Sequence, residues 1–297
     1  MEIIEGMVLG VRTPEWGHTW ITKGAEKYYT LRSLAEGSRL VVCDAAGGIL
    51  GEWETPGRHS CFVRVCGSRA VVCDYTGGSM GVWSLDAEGL PAGEVQMRYF
   101  EPCSHIHSCW EAPSDGALIV ADLGADRLYR FQPELNSYET FETPQDCGPR
   151  HCAFGRDRLY VSTELSDEVL VLEYPSMRLL QRCTVNPEHP SGGAHLALSP
   201  DGRFLYVSSR LSNDGVAVFA VGADGLLSGI GYQRTGLHPR HFSLRPDGLE
   251  MAVACRDSAA VEFYDIDPSS GLLSPGGRCP IKIDNPVFVE YEQKDRL

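Results

Sequence analysis

The sequence predicts an all-β chain built from one repeated, four-stranded antiparallel unit. Three observations carry that expectation. An apolar run anchored by a valine recurs at Val42, Val72, Val120, Val161, Val207 and Val253, with spacings of 30, 48, 41, 46 and 46 residues. Between the runs stand Ser114-Asp115-Gly116, Pro200-Asp201-Gly202, Ala223-Asp224-Gly225 and Pro246-Asp247-Gly248, and Asp-Gly between apolar segments is hairpin chemistry. No 12-residue window sustains a 3.6-residue apolar period, so helix should be nearly absent. With a weaker copy at Met7–Val11, seven copies share 297 residues. That is about 42 residues each, the length of four short strands with their turns. The expected fold is a seven-bladed β-propeller of four-stranded antiparallel blades, one domain over residues 1–297. A β-helix needs shorter repeats, and a sandwich would not hold a period near 45.

Each copy reads as a valine-anchored strand, a special residue, a short loop and a further strand. In chain order the valine-anchored runs are Leu40–Asp44, Ala70–Tyr75, Ala117–Gly124, Arg158–Glu164, Arg203–Arg210 and Leu249–Arg256. The last four lead to Leu128–Phe131, Val169–Leu172, Val216–Phe219 and Val261–Tyr264. The final run, Pro286–Tyr291, is expected to pair with the N-terminal strand, closing the ring and removing open edges.

Composition narrows the function. Lys+Arg 26 against Asp+Glu 40 leaves a net charge of −14, which disfavours nucleic acid and anionic membranes as partners. No run approaches a membrane span, and Met1–Gly6 shows no signal-peptide pattern. Eleven cysteines, an odd number set on apolar runs, read as reduced core thiols in a cytoplasmic protein. No CxxC pair occurs, so no structural zinc is expected. A closed ring without open edges makes a monomer the default.

The repeat alignment gathers charge. Three residues after each valine stand Ala45, Tyr75, Leu123, Glu164, Arg210 and Arg256. Six residues before a turn aspartate stand His151, His195 and His241, at the start of the innermost strand. Antiparallel neighbours put the start of one strand beside the end of the next, so both sets should meet at one mouth of the central channel. Pro149-Arg150-His151 and Pro239-Arg240-His241 repeat one step, and the matching stretch of an earlier blade is Ser104-His105-Ile106-His107. Singly, such a histidine only bonds a loop and such an arginine only ties blades. Together, His107, Arg150, His151, His195, Arg210, Arg240 and Arg256 set several cations around Glu164, which reads as a site for an anion.

These segments resemble a known family. Gly148–His151 with Val161–Leu165, Gly193–Arg210 and His238–Gly248 are similar to the seven-bladed propeller lactonases, the 6-phosphogluconolactonase group related to the carboxymuconate-lactonizing enzymes. Asp74–Ser79, Ala121–Arg127 and Asn285–Val287 match as well, over about residues 40–290. The resemblance implies a catalytic set of His107, Arg150, Glu164 and Arg210, with His105 the alternative to His107. Two departures stand out: residues 12–39 do not follow the usual first blade, and Arg256 stands where the family more often has an amide.

The resemblance implies hydrolysis of a small anionic sugar lactone, 6-phosphogluconolactone in the oxidative pentose phosphate route. Glu164 or His107 would be general base. Arg150 and Arg210 would stabilise the oxyanion or grip a carboxylate or phosphate. Tyr75, His105, His151, His195, Arg240, His241 and Arg256 would line the pocket. No cofactor is called for, and the rim lacks the carboxylate cluster that calcium needs. Two other readings stand beside this one. One is a noncatalytic propeller binding an anionic ligand or a protein; the other is a lactonase or cycloisomerase for a different carboxylate lactone. Phosphate and carboxylate suit the same arginines.

Overall fold

Runs such as Leu118–Asp122, Phe204–Ser209 and Glu250–Cys255 are buried at every residue. Branched and aromatic side chains in runs this short form strands covered on both faces. By contrast Tyr138–Glu142 and Leu179–Thr184 contain no buried residue, the pattern of an outer strand. The computed structural model describes residues 1–4, 6–11, 20–34, 37–186 and 192–292. Of the unusual stretch 12–39, residues 12–19, 35 and 36 lie outside that description.

The chain divides into two compact units, residues 1–2 with 10–148 and residues 3–9 with 149–297. The first unit holds three four-stranded sheets, entered at Ile21–Lys23, Ser60–Cys66 and Ile106–Glu111. The second holds a sheet from Pro149–Phe154 to Leu179–Thr184 and another from Gly193–Leu198 to Leu227–Arg234. A third begins at Pro239–Leu244 and has five strands, because Leu273–Pro275 and Ile281–Lys282 both pair with Ala260–Ile266. The last sheet joins Pro286–Tyr291 to Met7–Val11 and then Glu2–Ile4, the expected pairing of the chain's two ends. These seven sheets are the complement of a seven-bladed β-propeller. Five are four-stranded, one has three strands and one has five among the described residues. The one helical element described is the 3₁₀ turn Arg256–Ser258.

In the second unit the core is a series of apolar interfaces between consecutive sheets. Tyr160, Val169 and Val171 pack against Leu196, Leu205 and Phe219. Tyr206, Val216 and Val218 pack against Phe242, Met251 and Val253. Each such buried side chain contributes about 1.5–3 kcal/mol. Val72, Val120, Val161, Val207 and Val253 are fully buried in the second strands of their sheets.

Val42 differs. It lies in Ser38–Cys43, the third strand of its sheet, so the repeat slips by one strand there. That explains the odd spacing of 30. In the other sheets the anchoring valine stands two residues before the second strand ends; here that place belongs to Leu31 in Tyr28–Ser33. Ala45 follows a third strand, so it lies at the opposite end of its sheet from the other residues aligned with it.

Candidate active site

Two backbone devices shape the recurring positions. First, in four of the sheets the residue that follows the second strand donates its N–H to the carbonyl of the residue that precedes the first strand. Tyr75 donates to His59 at 3.1 Å, Leu123 to His105 at 3.0 Å, Arg210 to Gly192 at 3.3 Å and Arg256 to His238 at 3.1 Å. Second, each of these first strands carries one extra residue directly after its first paired residue. Ser60 and Phe62 pair with Asp74 and Cys73; Ile106 and Ser108 pair with Asp122 and Ala121. Pro149 and His151 pair with Thr163 and Ser162; Pro239 and His241 pair with Cys255 and Ala254. The same excess lies between Gly193 and Leu196. The bulge residues are therefore Cys61, His107, Arg150 and Arg240, with Ala194 at the matching place. A bulge breaks side-chain alternation and re-aims one side chain.

In the second unit these devices build a connected polar group. Arg150 donates Nε–H to Glu164 Oε2 at 2.7 Å and Nη1–H to the Ala194 carbonyl at 2.8 Å. Arg210 Nη2 lies 2.7 Å from the same Oε2. Both arginine side chains are nearly enclosed, while that of Glu164 keeps 25% of its surface. Glu164 Oε1 has no hydrogen-bond partner among the described residues. Arg240 is half-buried and, among the described residues, makes no hydrogen bond or close ion pair. Arg256 is spent on Asp257, with Nε to Oδ1 at 2.6 Å and Nη2 to Oδ2 at 3.1 Å.

His151, His195 and His241 form a buried row one residue beyond the bulges. His151 Nδ1 and His195 Nδ1 are 3.0 Å apart. The His195 ring stacks on His241 at 4.1 Å, and His241 stacks on Phe288 at 4.4 Å. Burial, then the Arg150 and Arg240 charges, push His241 down to about 3. Burial, His241 and Arg150 hold His195 far below the ordinary imidazole range. By sequence these histidines count among the cations of the rim. Their burial keeps His195 and His241 neutral, so the positive charge here comes from the arginines.

That charge acts on Glu164. Burial works to raise its pKa, but Arg150, Arg210 and Arg240 outweigh it and hold the carboxyl below its ordinary value. Arg240 is pressed the other way, by desolvation and by the Arg210 and Arg150 charges. A guanidinium stays protonated in proteins, so this repulsion becomes an attraction for an incoming anion. His238, at the head of the segment His238–Gly248, is a further member of this group that the repeat alignment does not single out. It contacts both Arg210 and Asp257. The available signal was its place before Pro239, where the sister repeat has Gly148.

In the first unit, His105 and Tyr75 stack at 4.5 Å with an interplanar angle of 8°. His105 Nδ1 lies 2.8 Å from the Tyr75 carbonyl. His107 is buried and meets the Tyr75 ring edge-on at 6.1 Å. Of the two histidines, His107 takes the bulge place that Arg150 and Arg240 hold in their sheets. Among the described residues no group of His, Cys, Asp or Glu is arranged to hold a metal ion.

Residues 39–291 match the lactonase family described by its seven-bladed β-propeller. A Bacteroides uniformis structure described as a candidate 6-phosphogluconolactonase is 30% identical, with a TM-score of 0.84, covering 94% of this chain and 90% of that one. A Bacteroides fragilis structure of the same description is 28% identical, with a TM-score of 0.82, covering 92% and 85%. The Pseudomonas aeruginosa periplasmic gluconolactonase is 25% identical, with a TM-score of 0.83, covering 91% and 87%. An uncharacterized Staphylococcus epidermidis protein is 34% identical over 201 residues, and the match spans 63% of this chain and 58% of that protein. The chain belongs to the seven-bladed β-propeller lactonase family.

Proposed function

We propose that the chain hydrolyses a sugar-acid lactone, with 6-phosphogluconolactone as the first substrate to test. One observation carries the reading: Glu164 has one oxygen saturated by two buried guanidinium groups and the other open. A carboxylate held this way is fixed in place and ionised. Oε1 accepts a hydrogen bond from water and aims its oxygen at the lactone carbonyl carbon. The C–O bond to water forms, the ring C–O bond breaks, and the water proton passes to the leaving ring oxygen. Arg240 attracts the substrate anion.

A second reading is an unphosphorylated gluconolactone. It is favoured by a single arginine, Arg240, lacking a protein partner among the four described above, and by the likeness to the Pseudomonas gluconolactonase. All eleven cysteines are free thiols, which supports a reducing compartment and hence the cytosol. No helix among the described residues is long and apolar enough to cross a membrane.

The test is hydrolysis of freshly made 6-phosphogluconolactone and of gluconolactone, corrected for spontaneous opening, in the parent protein and Arg210→Ala. A rate well above background that collapses in the variant supports the reading, and the better substrate chooses between the two lactones. No turnover of either lactone by folded protein overturns it and leaves a binding module or another lactone.

A further inference from the structure

Immediately before each first strand the backbone often turns left-handed. Gly148 has φ +62°, Gly192 +29° and His238 +57°. Glycine enters that region freely; other residues enter it at a cost. His238 therefore holds a place that its own backbone would cede to glycine. The place is fixed from both sides: its N–H donates to Asp214 Oδ1 at 2.8 Å, and its carbonyl accepts from Arg256 at 3.1 Å.

The ring accounts for the cost. Nε2 lies 3.3 Å from Arg210 Nη1, and Nδ1 lies 3.5 Å from Asp257 Oδ2. A guanidinium only donates and a carboxylate only accepts. The two contacts together assign the tautomer: Nε2 carries the lone pair and Nδ1 carries the proton. We propose that His238 is a positioning residue for the reaction, a neutral imidazole that locks Arg210 beneath Glu164 and ties it to Asp257. This rests on the lactonase reading above for its kinetic consequence, and on geometry alone for its tautomer.

The chain of contacts is Asp257, His238, Arg210, Glu164 and Arg150. The ring must stay neutral, because protonated Nε2 would face the Arg210 cation. Its surroundings enforce that. Burial, then Arg210, Arg256 and Arg240, push His238 down to about 3 against the opposing pull of Asp257.

His238→Gly separates this role from a merely structural one, since glycine suits the backbone there. The expected result is kcat lowered about 10- to 100-fold, the loss set by one hydrogen bond to a charged group, with KM within twofold and no fall in melting temperature. His238→Gln, whose carbonyl oxygen can accept from Arg210, should restore part of kcat. Unchanged kcat in His238→Gly would overturn the proposal. Nitrogen-15 NMR of the parent protein supplies a readout that needs no substrate. The His238 ring should show a protonated Nδ1 and an unprotonated Nε2, and remain neutral at pH 5. The opposite tautomer, or titration near 6.5, would overturn the proposal whether or not any lactone is turned over.

Discussion

His107 holds in its sheet the bulge position that Arg150 holds in the sheet beginning at Pro149. Each is the one extra residue of a first strand, following Ile106 paired to Asp122 and Pro149 paired to Thr163. The backbone sets the place, and the side chain sets the chemistry. The same comparison separates Arg240, which has no protein partner described, from Arg150, which is committed to Glu164.

Glu164→Gln should impair both turnover and stability. It removes the carboxylate shared by two enclosed guanidinium groups. Breaking a buried pair costs about 3–5 kcal/mol, and the partial exposure of Glu164 brings the expectation down to about 1–3 kcal/mol. Calorimetry should show a melting temperature lower by about 3–8 °C, with kcat reduced at least about 100-fold. Lost turnover at an unchanged melting temperature would mean that Glu164 does not anchor the arginines.

Arg240→Gln should do the reverse. It removes a cation pressed by Arg150 and Arg210 and breaks no described hydrogen bond. Folding stability should hold or rise slightly, while KM for an anionic lactone rises about 10- to 100-fold for the lost charge-assisted contact. An uncharged lactone used as control should be little affected. A marked fall in melting temperature would assign Arg240 a structural role instead.

The acid limb should identify the base. Glu164 has a native pKa below its ordinary value, so between the two values the unfolded chain binds more protons. Its contribution to stability is full above the unfolded pKa and is lost as pH falls through the native one. With Glu164 aiming the water, kcat/KM should stay level from pH 7 to pH 5 and fall only below the ordinary carboxylate range. A limb near pH 6–7 would point to an imidazole instead of Glu164. Asp74 titrates with the opposite sign. Burial raises it to about 6 against the hydroxyls of Ser60 and Ser79. Its effect favours folding at low pH and is lost as pH rises through about 6. Asp74→Asn should therefore remove a decline of about 2–3 kcal/mol between pH 4 and pH 7, read by denaturant unfolding.

Gly193→Ala should harm the site from a distance. A Cβ on Gly193 would lie 2.2 Å from the Thr163 carbonyl, and Thr163 directly precedes Glu164. Backbone must shift to admit it, at about 1–3 kcal/mol. The expected result is a lower melting temperature together with lower kcat. Unchanged values for both would show that the two strands separate freely at this point.

The repeat was legible because burial on both faces forces apolar runs at a steady interval. The phase slip at Val42 was not. Leu40–Cys43 is as apolar as any second strand, and the residues before it lack the branched run that would have revealed Tyr28–Ser33 as the earlier strand. At the site, Glu164, Arg210 and Arg256 were legible as the residues that follow second strands. What escaped the sequence was the division of labour. The sharing of Glu164 Oε2, the neutral stacked row His195–His241–Phe288 and the role of His238 all depend on side-chain direction. The bulge sets that direction, and a strict two-residue alternation does not anticipate it.

The bulge recurs at Cys61, His107, Arg150 and Arg240, with alanine at the matching place in one sheet, and the strand pairing on either side is the same whichever side chain is present. Such a position is a socket: its occupant can be exchanged without rewriting the sheet around it. Side chains can be varied at such a place one at a time while the folding problem stays solved. Cys61, only partly buried where Ala194 is fully enclosed, is the place where such exchange should be tolerated first.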